Sequence, residues 1–178
     1  MPAGLAWRVT RSVYPPGSCA GDTFVGIVAT TPGQHADGME TQELTAQYVA
    51  LCNEPNSDRR RMAVERLWAA DGVHVLAAPP AIAEAVETLG FPSITLEARG
   101  HPALQHRVGR AHHDFVATGQ FTFRSRGDAD RVGDVITFTW EMVTTEGEEV
   151  AAIGLEVLTL DPDGRIIADY QFIERSAR

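Results

Sequence analysis

The chain has 178 residues, of which 44% are hydrophobic and 22% charged, with a formal net charge of -9 at pH 7. This length and composition are typical of one globular domain that can bury a full core. The negative charge argues against nucleic acid as a partner, because phosphate recognition needs clustered cations.

Cysteine usage and hydropathy exclude further classes of protein. Cys19 and Cys52 form neither a disulfide framework nor a metal-ligand spacing, so we expect reduced thiols, no metal, no other cofactor and a cytoplasmic location. No apolar run approaches the ~18 residues of a membrane span. Residues 1–38 also lack the continuous hydrophobic stretch of a signal peptide. We therefore expect no membrane association.

The first 38 residues differ in composition from the rest of the chain. They are rich in Pro, Gly, Thr and Ser and show no periodicity, which predicts a disordered or loosely packed extension. An alternative is that Met39 is the true start of the protein. Either way, the folded domain is predicted to span residues 39–178.

From Thr41 onward, apolar residues recur at helical spacing. Thr41 is the predicted N-cap of a first helix, and Ser57 is that of a second helix running to about Ala69. A turn at Asp71–Gly72 then leads into a short strand over residues 73–77.

Two more helices are predicted before Gly119. Pro79–Pro80 open a small helix whose inward-facing residues are Ile82, Val86 and Leu89. Gly100–Pro102 open a longer helix, whose apolar side consists of Leu104, Val108, Ala111 and Phe115.

Beyond Gly119 the hydrophobic period changes from helical to alternating. Four strands are predicted, at about residues 120–126, 132–144, 149–160 and 165–174, and their short connections favour an antiparallel meander. Helices followed by strands are typical of an α+β domain, with the helices covering one face of a curved sheet.

The last two strands present two different faces, because successive side chains on a strand point to opposite sides. One face mixes polar and aliphatic groups and includes Glu156, Asp169, Gln171 and Ile173. Such a mixture suits a small-molecule cavity. The opposite face is apolar: Ile153, Leu155, Val157, Tyr170 and Phe172. In the alternative arrangement this apolar face is the core and the carboxylates face water.

Three segments resemble the nuclear transport factor 2-like superfamily, which includes ketosteroid isomerase and the SnoaL-like polyketide cyclases. They are Tyr48–Asn53 (YVALCN), Leu67–Gly72 (LWAADG) and the stretch from Glu156 through the turn at 163–166. The resemblance covers about residues 41–174 and is weakest over 78–99. It implies a cone-shaped α+β barrel in which helices close over a bent sheet around a deep pocket.

The resemblance also implies roles for individual side chains. Tyr48 matches the oxyanion-hole tyrosine of ketosteroid isomerase, and Glu156 matches the protonated aspartic acid that is its second donor. The general base of that enzyme falls at Leu76, which cannot move a proton. Among the residues near these positions, His74 and Asp169 are the expected replacements, since both can accept a proton. We therefore predict Tyr48, Glu156, Asp169 and His74 as catalytic residues.

Further side chains are expected to contact the substrate: Trp68, Leu76, His112, Glu141, Gln171 and Ile173. Glu141 belongs to this set if the turn at 145–147 keeps a regular register. For Trp68 and His112 the alternative is a purely structural role in the core.

The predicted ligand is a hydrophobic polyketide-, terpenoid- or steroid-like molecule. The predicted chemistry is a cofactor-free isomerisation, cyclisation or hydrolysis by acid–base catalysis, and the alternative is a non-catalytic binding or interaction module. The apolar outer face, with Phe138, Trp140 and Met142 added from the preceding strand, predicts a homodimer, because so large a patch is rarely left exposed.

Overall fold

A computed structural model describes residues 34–78, 80–90 and 95–175 of the chain. Most of the predicted N-terminal extension therefore lies outside the described residues. Its last five residues, 34–38, belong to the first helix. None of the described helices is both long and apolar enough to cross a membrane.

Four α-helices form the helical part of the domain: α1 (Gln34–Asn53), α2 (Ser57–Leu67), α3 (Pro80–Thr88) and α4 (Gly100–Ala111). A π-helical turn, His112–Val116, extends α4. Thr41 lies inside α1 and is not its N-cap, contrary to the sequence prediction. The N-cap of α2 is Asn56, one residue before the predicted one, and its side chain accepts a hydrogen bond from the backbone N–H of Arg59 at 3.0 Å.

Seven strands form a single curved and unclosed sheet: β1 (Trp68–Ala77), β2 (Thr95–Arg99), β3 (Phe121–Ser125), β4 (Asp130–Val132), β5 (Val135–Thr144), β6 (Val150–Leu160) and β7 (Ile166–Arg175). Their order is β2-β1-β7-β6-β5-β3, and β4 also pairs with β5. All pairs are antiparallel except β1 with β7. The α+β class and the terminal meander are confirmed, whereas β2 was not predicted.

Strand β1 is longer than predicted because it includes a bulge. Trp68 pairs with Ile166, and the next pair is Val73 with Ala168. Asp71–Gly72, predicted as a turn before the strand, lies within this irregularity. A Cβ at Gly72 would meet the backbone oxygen of Ile166 at 2.8 Å, so this close approach requires glycine.

Helices α1, α2 and α4 pack against one face of the sheet. The buried core between them contains Leu51, Val64, Leu104, Ile136, Phe138 and Leu158. Helix α3 does not bury the residues predicted to face inward: Ile82 is 42% exposed and Leu89 is 74% exposed. The sequence predicted the helix correctly, but the expected burial of these two residues was wrong.

The predicted faces of β5 were also wrong. Phe138 pairs directly with Glu156, Trp140 with Gly154 and Met142 with Ala152, so these three side chains face the helices. Glu141 pairs with Ile153 on the outer face. The cause is a register shift next to the β5–β6 turn, where Met142 pairs with Ala152 but Val143 pairs with Val150. One extra residue in a strand exchanges the faces of all residues beyond it.

Candidate functional site

A cavity of about 270 Å³ lies between α1, α4 and the helix-facing side of the sheet. Its wall is almost entirely apolar, and the polar side chains in it are few. They are Tyr48, Cys52, His74, Arg107 and Gln171. An apolar cavity with a few placed polar groups is the usual form of a small-molecule site.

Apart from Arg107 of α4, the polar groups described here come from α1 and from three neighbouring strands, β1, β7 and β6. His74 of β1 pairs directly with Asp169 of β7, and Gln171 of β7 pairs directly with Glu156 of β6. Directly paired residues on adjacent strands point to the same side of the sheet. All four side chains therefore point toward the helices, and Tyr48 reaches them from α1.

Tyr48 and Asp169 form the first half of a buried hydrogen-bonded chain. The Tyr48 hydroxyl donates to Asp169 Oδ2 at 2.7 Å, and both residues are buried. His74 Nε2 lies 4.0 Å from the same oxygen. A carboxylate in this position can orient the phenol and can stabilise a positive charge on the imidazole.

Glu156 forms the second half of this chain. Its Oε1 accepts hydrogen bonds from Trp140 Nε1 at 2.6 Å and from Gln171 Nε2 at 2.7 Å. Its other oxygen, Oε2, is buried with no partner among the described residues, and so is Oδ1 of Asp169. Each carboxyl group therefore has one oxygen held by donors and one oxygen free.

A proton shared by the two carboxyl groups accounts for these free oxygens. Burial raises the pKa of Glu156 well above its ordinary value, and the neighbouring charge of Asp169 and a hydrogen bond to it raise the pKa further. These effects favour the protonated form of Glu156. A proton shared with Asp169 leaves the pair with one negative charge instead of two.

The side chains in the cavity wall are electrically neutral at pH 7, apart from Arg107. Burial lowers the pKa of His74, so its imidazole is uncharged and can accept a proton. Burial and the Asp169 charge raise the pKa of Tyr48, so its phenol keeps its proton. Burial also raises the pKa of the Cys52 thiol to about 12, which leaves it a poor nucleophile.

The same cluster contains groups that could hold a metal ion. His74, Glu156 and Asp169 each offer one ligand atom, and these atoms lie within 4.8 Å of one another. Binding a metal would require Glu156 to lose the proton that its surroundings favour.

The structure brings together most of the side chains selected from the sequence. Tyr48 and His74 line the cavity, together with Trp68, Gln171 and Ile173. Glu156 and Asp169 are fully buried behind this wall and contact it through Gln171 and Tyr48.

Three predicted substrate contacts are not in the cavity wall. Leu76 pairs with Gln171 but does not line the cavity, and His112 is buried in the π-helical turn. Glu141 lies on the outer face, where its carboxylate binds Arg124 and Arg126, each at 2.8 Å. These hydrogen bonds lower the pKa of Glu141, as expected for a carboxylate held between two cations.

The sequence analysis missed three polar groups of the site: Cys52, Trp140 and Arg107. Trp140 was placed on the outer face by the register error in β5. Arg107 lies three residues after Leu104 and four before Ala111, on the apolar side of α4, so helical spacing alone places it in the wall. A charged residue on an otherwise apolar helix face was the sequence feature that could have identified Arg107 as part of the site.

In comparisons with known proteins, no family model and no curated protein matches the chain. Solved structures do match. A candidate isomerase of the SnoaL-like family from Agrobacterium tumefaciens is 21% identical, with a TM-score of 0.61 over 76% of this chain and 98% of that one.

Two further solved structures are similar. A SnoaL-like protein of unknown function from Burkholderia thailandensis is 16% identical, with a TM-score of 0.51 over 75% of this chain and 94% of that one. A candidate polyketide cyclase from Sinorhizobium meliloti is 12% identical, with a TM-score of 0.50 over 76% of this chain and 98% of that one. The chain thus has the SnoaL-like, nuclear transport factor 2-like fold expected from its sequence.

Proposed function

From this fold and the geometry of its cavity, we propose that the chain is a cytoplasmic protein that binds an apolar small molecule and catalyses proton transfer on it. Isomerisation, cyclisation and hydrolysis all fit this chemistry. The proposal rests on one observation: Tyr48, Asp169 and Glu156 are buried together beside a neutral histidine, and Tyr48 donates to Asp169 at 2.7 Å. The free thiol of Cys52 fits a reducing compartment.

Each group has a role that follows from its protonation state. His74 accepts a proton from the substrate, and the negative charge of Asp169, 4.0 Å away, stabilises the imidazolium that forms. Tyr48 keeps its proton, and by turning that proton from Asp169 Oδ2 toward the cavity the phenol donates to a developing oxyanion. Glu156, which stays protonated, prevents a second negative charge from accumulating behind Tyr48.

The similar structures support this class of function without specifying it. One is named as a candidate isomerase and one as a candidate polyketide cyclase. Because one fold carries many activities, the reaction must be argued from the side chains of this chain.

A non-catalytic binding module is the second candidate. It is favoured by the position of Leu76, where the resemblance to ketosteroid isomerase expects a general base, and by the burial of both carboxyl groups behind the wall. Such a module would bind ligands in the cavity without exchanging their protons.

The two candidates differ in whether a bound ketone exchanges its protons with solvent. We expect the protein to catalyse deuterium incorporation into cyclic enones and β-diketones in D₂O, measured by mass spectrometry. Asp169→Asn should reduce this rate by about 100-fold or more, since it removes the charge that stabilises the imidazolium.

Glu141→Gln is the matched control for this experiment, because it removes a carboxylate from the outer face of the same sheet. It should leave the exchange rate unchanged. The binding module would be favoured if the wild-type protein bound the ketone without exchanging its protons. It would also be favoured if both variants lost the same fraction of the exchange rate.

We also propose that the outer sheet face pairs with the same face of a second copy. Leu155 pairs with Phe172 and Val157 with Tyr170, forming one apolar patch; Phe172 is 56% exposed and Tyr170 is 44% exposed. Both signs of charge, from Glu141 and its two arginines, lie beside this patch on the same face. A two-fold axis can therefore place the carboxylate of one copy opposite the arginines of the other copy.

Phe172→Glu is expected to convert a dimer into a monomer, because it places a charge at the centre of the apolar patch. Light scattering after size exclusion should give twice the 19.3 kDa chain mass for the wild type and the single mass for the variant. Leu89→Glu, at an exposed site in the turn after α3, should remain dimeric. A monomeric wild-type protein would refute the pairing.

A further inference from the structure

Arg107 is the cationic side chain of the cavity wall. No carboxylate among the described residues lies within 4.0 Å of it, whereas Arg61, Arg99, Arg110, Arg124 and Arg126 each form such an ion pair. Its hydrogen bond within the site is long, 3.3 Å from Nη2 to Gln171 Oε1. The guanidinium is therefore held at an apolar cavity without a directly paired anion.

The position of Arg107 is fixed by a hydrogen-bonded relay. Gln171 accepts from Arg107 through Oε1 and donates to Glu156 through Nε2. A guanidinium has five N–H donors, so most of the donors of Arg107 remain available. The relay orients the cation but does not neutralise it, since the group in direct contact with the guanidinium is the uncharged amide of Gln171.

Arg107 is partly buried in this wall, and an apolar ligand in the cavity would remove its remaining solvent without supplying an opposite charge. A ligand that brings an anionic oxygen would offset this cost through a charge-assisted hydrogen bond. A neutral hydrocarbon ligand would increase the cost, since it displaces water from the guanidinium.

We infer that Arg107 binds an anionic oxygen of the ligand, so that the cavity selects apolar molecules carrying one carboxylate or acidic enol. This inference rests on the proposed use of the cavity as the ligand site. An anion site at Arg107 favours a polyketide-like acid as the ligand over a neutral steroid or terpenoid. The volume of about 270 Å³ suits an apolar part of roughly two rings, because a cavity of about 150 Å³ holds one benzene.

The test uses two probes of the same shape, cinnamate and cinnamyl alcohol, with binding measured by titration calorimetry. The wild-type protein should bind cinnamate more tightly than the alcohol. Arg107→Met should weaken cinnamate binding by about 10- to 100-fold, the usual range for a hydrogen bond to a charged group, and should change alcohol binding less than about threefold.

Two further variants control the experiment. Arg110→Met removes a cation from the same helix that is paired with Asp114 outside the cavity, and it should leave both affinities unchanged. Arg107→Lys keeps the charge and should retain most of the preference for cinnamate. Together they separate the effect of the cavity cation from helix stability.

Three outcomes would overturn the inference. The wild type could bind both probes with equal affinity, it could bind neither probe, or Arg107→Met could lose affinity for both probes to the same extent. The proton-exchange experiment is independent of this result. If cinnamate behaves as expected and no ketone exchanges its protons, the anion site stands and the proposed catalysis fails. If exchange occurs without any preference for cinnamate, catalysis stands and the anion site fails.

Discussion

Gly154→Ala is expected to lower the free energy of unfolding by about 3 kcal/mol, the upper end for overpacking a rigid core. The indole of Trp140 lies directly over Gly154 on the neighbouring strand. A Cβ at this position would be 2.7 Å from Trp140 Nε1 and closer still to two of its ring carbons. No van der Waals contact is that short, so the indole or the strand would have to move.

Trp140 has little freedom to move away. It is 7% exposed, it donates to Glu156 at 2.6 Å, and its ring packs edge-on against Phe123 at a centroid distance of 5.3 Å. Displacing the indole would therefore break the hydrogen bond to Glu156 and reshape the cavity wall. We expect the variant to lose ligand affinity as well as stability.

Urea unfolding followed by circular dichroism measures this effect. Gly147→Ala is the matched control, because a Cβ in that β5–β6 turn would meet its nearest atoms at 3.7 Å, which is ordinary contact. The control should stay within about 0.5 kcal/mol of the wild type. A Gly154→Ala protein as stable as the wild type would show that Trp140 does not cover β6.

Glu156→Gln is expected to remove a large pH dependence of stability. The pKa of Glu156 is raised in the folded state by burial and by Asp169, whereas in the unfolded chain it is close to 4.5. Between these two values the folded protein holds one proton more than the unfolded chain. Stability therefore falls as pH rises through this window, by about 1.4 kcal/mol per pH unit.

Glutamine reproduces the protonated form without titrating. Its oxygen can accept from Trp140 and Gln171, and its amide can donate to Asp169 as the shared proton does. The stability of the wild type relative to this variant should be constant below pH 4.5 and should decline as pH rises above it. Unfolding midpoints of both proteins across a pH series give this difference directly.

Glu141→Gln should show the opposite sign. The pKa of Glu141 is lowered by its hydrogen bonds to Arg124 and Arg126, so its contribution is present above its unfolded pKa and is lost as pH falls. If the wild type and Glu156→Gln have parallel stability curves above pH 4.5, Glu156 is ionised in the folded protein and the shared proton does not exist.

Alternation of polar and apolar residues predicted much of the sheet. In β6 the period of two is unbroken around Glu156, whereas in β7 a register shift before Asp169 buries Ile166 and leaves Ile167 39% exposed. The structure buries both carboxyl groups on the side that faces the helices. The strand pattern identified Glu156 because its neighbours two residues away, Gly154 and Leu158, are also buried.

The same reasoning failed in β5 for a local reason. The pairing of Val143 with Val150 and of Met142 with Ala152 inserts one residue beside the turn. Nothing in the sequence of the turn marks this bulge, and one residue is enough to exchange the faces of Trp140 and Glu141. A strand register depends on contacts with its neighbour, which the sequence of one strand does not contain.

The cavity itself depends on tertiary contacts between distant segments. Tyr48 and Asp169 are separated by 121 positions, yet their side chains form a 2.7 Å hydrogen bond. The resemblance to ketosteroid isomerase selected Tyr48 and Glu156, but it suggested neither the Tyr48–Asp169 bond nor the relay from Arg107. Those contacts follow from the packing of α1 and α4 against the side of the sheet that carries Asp169 and Gln171.

The most direct test of this account is the protonation state of Glu156 in the intact protein. With ¹³C-labelled glutamate and Glu156→Gln to assign the signal, carboxyl NMR follows the group across a pH series. The account predicts that the Glu156 resonance keeps the chemical shift of a protonated acid at pH 7. A resonance that titrates near 4.5, as free glutamate does, would contradict it.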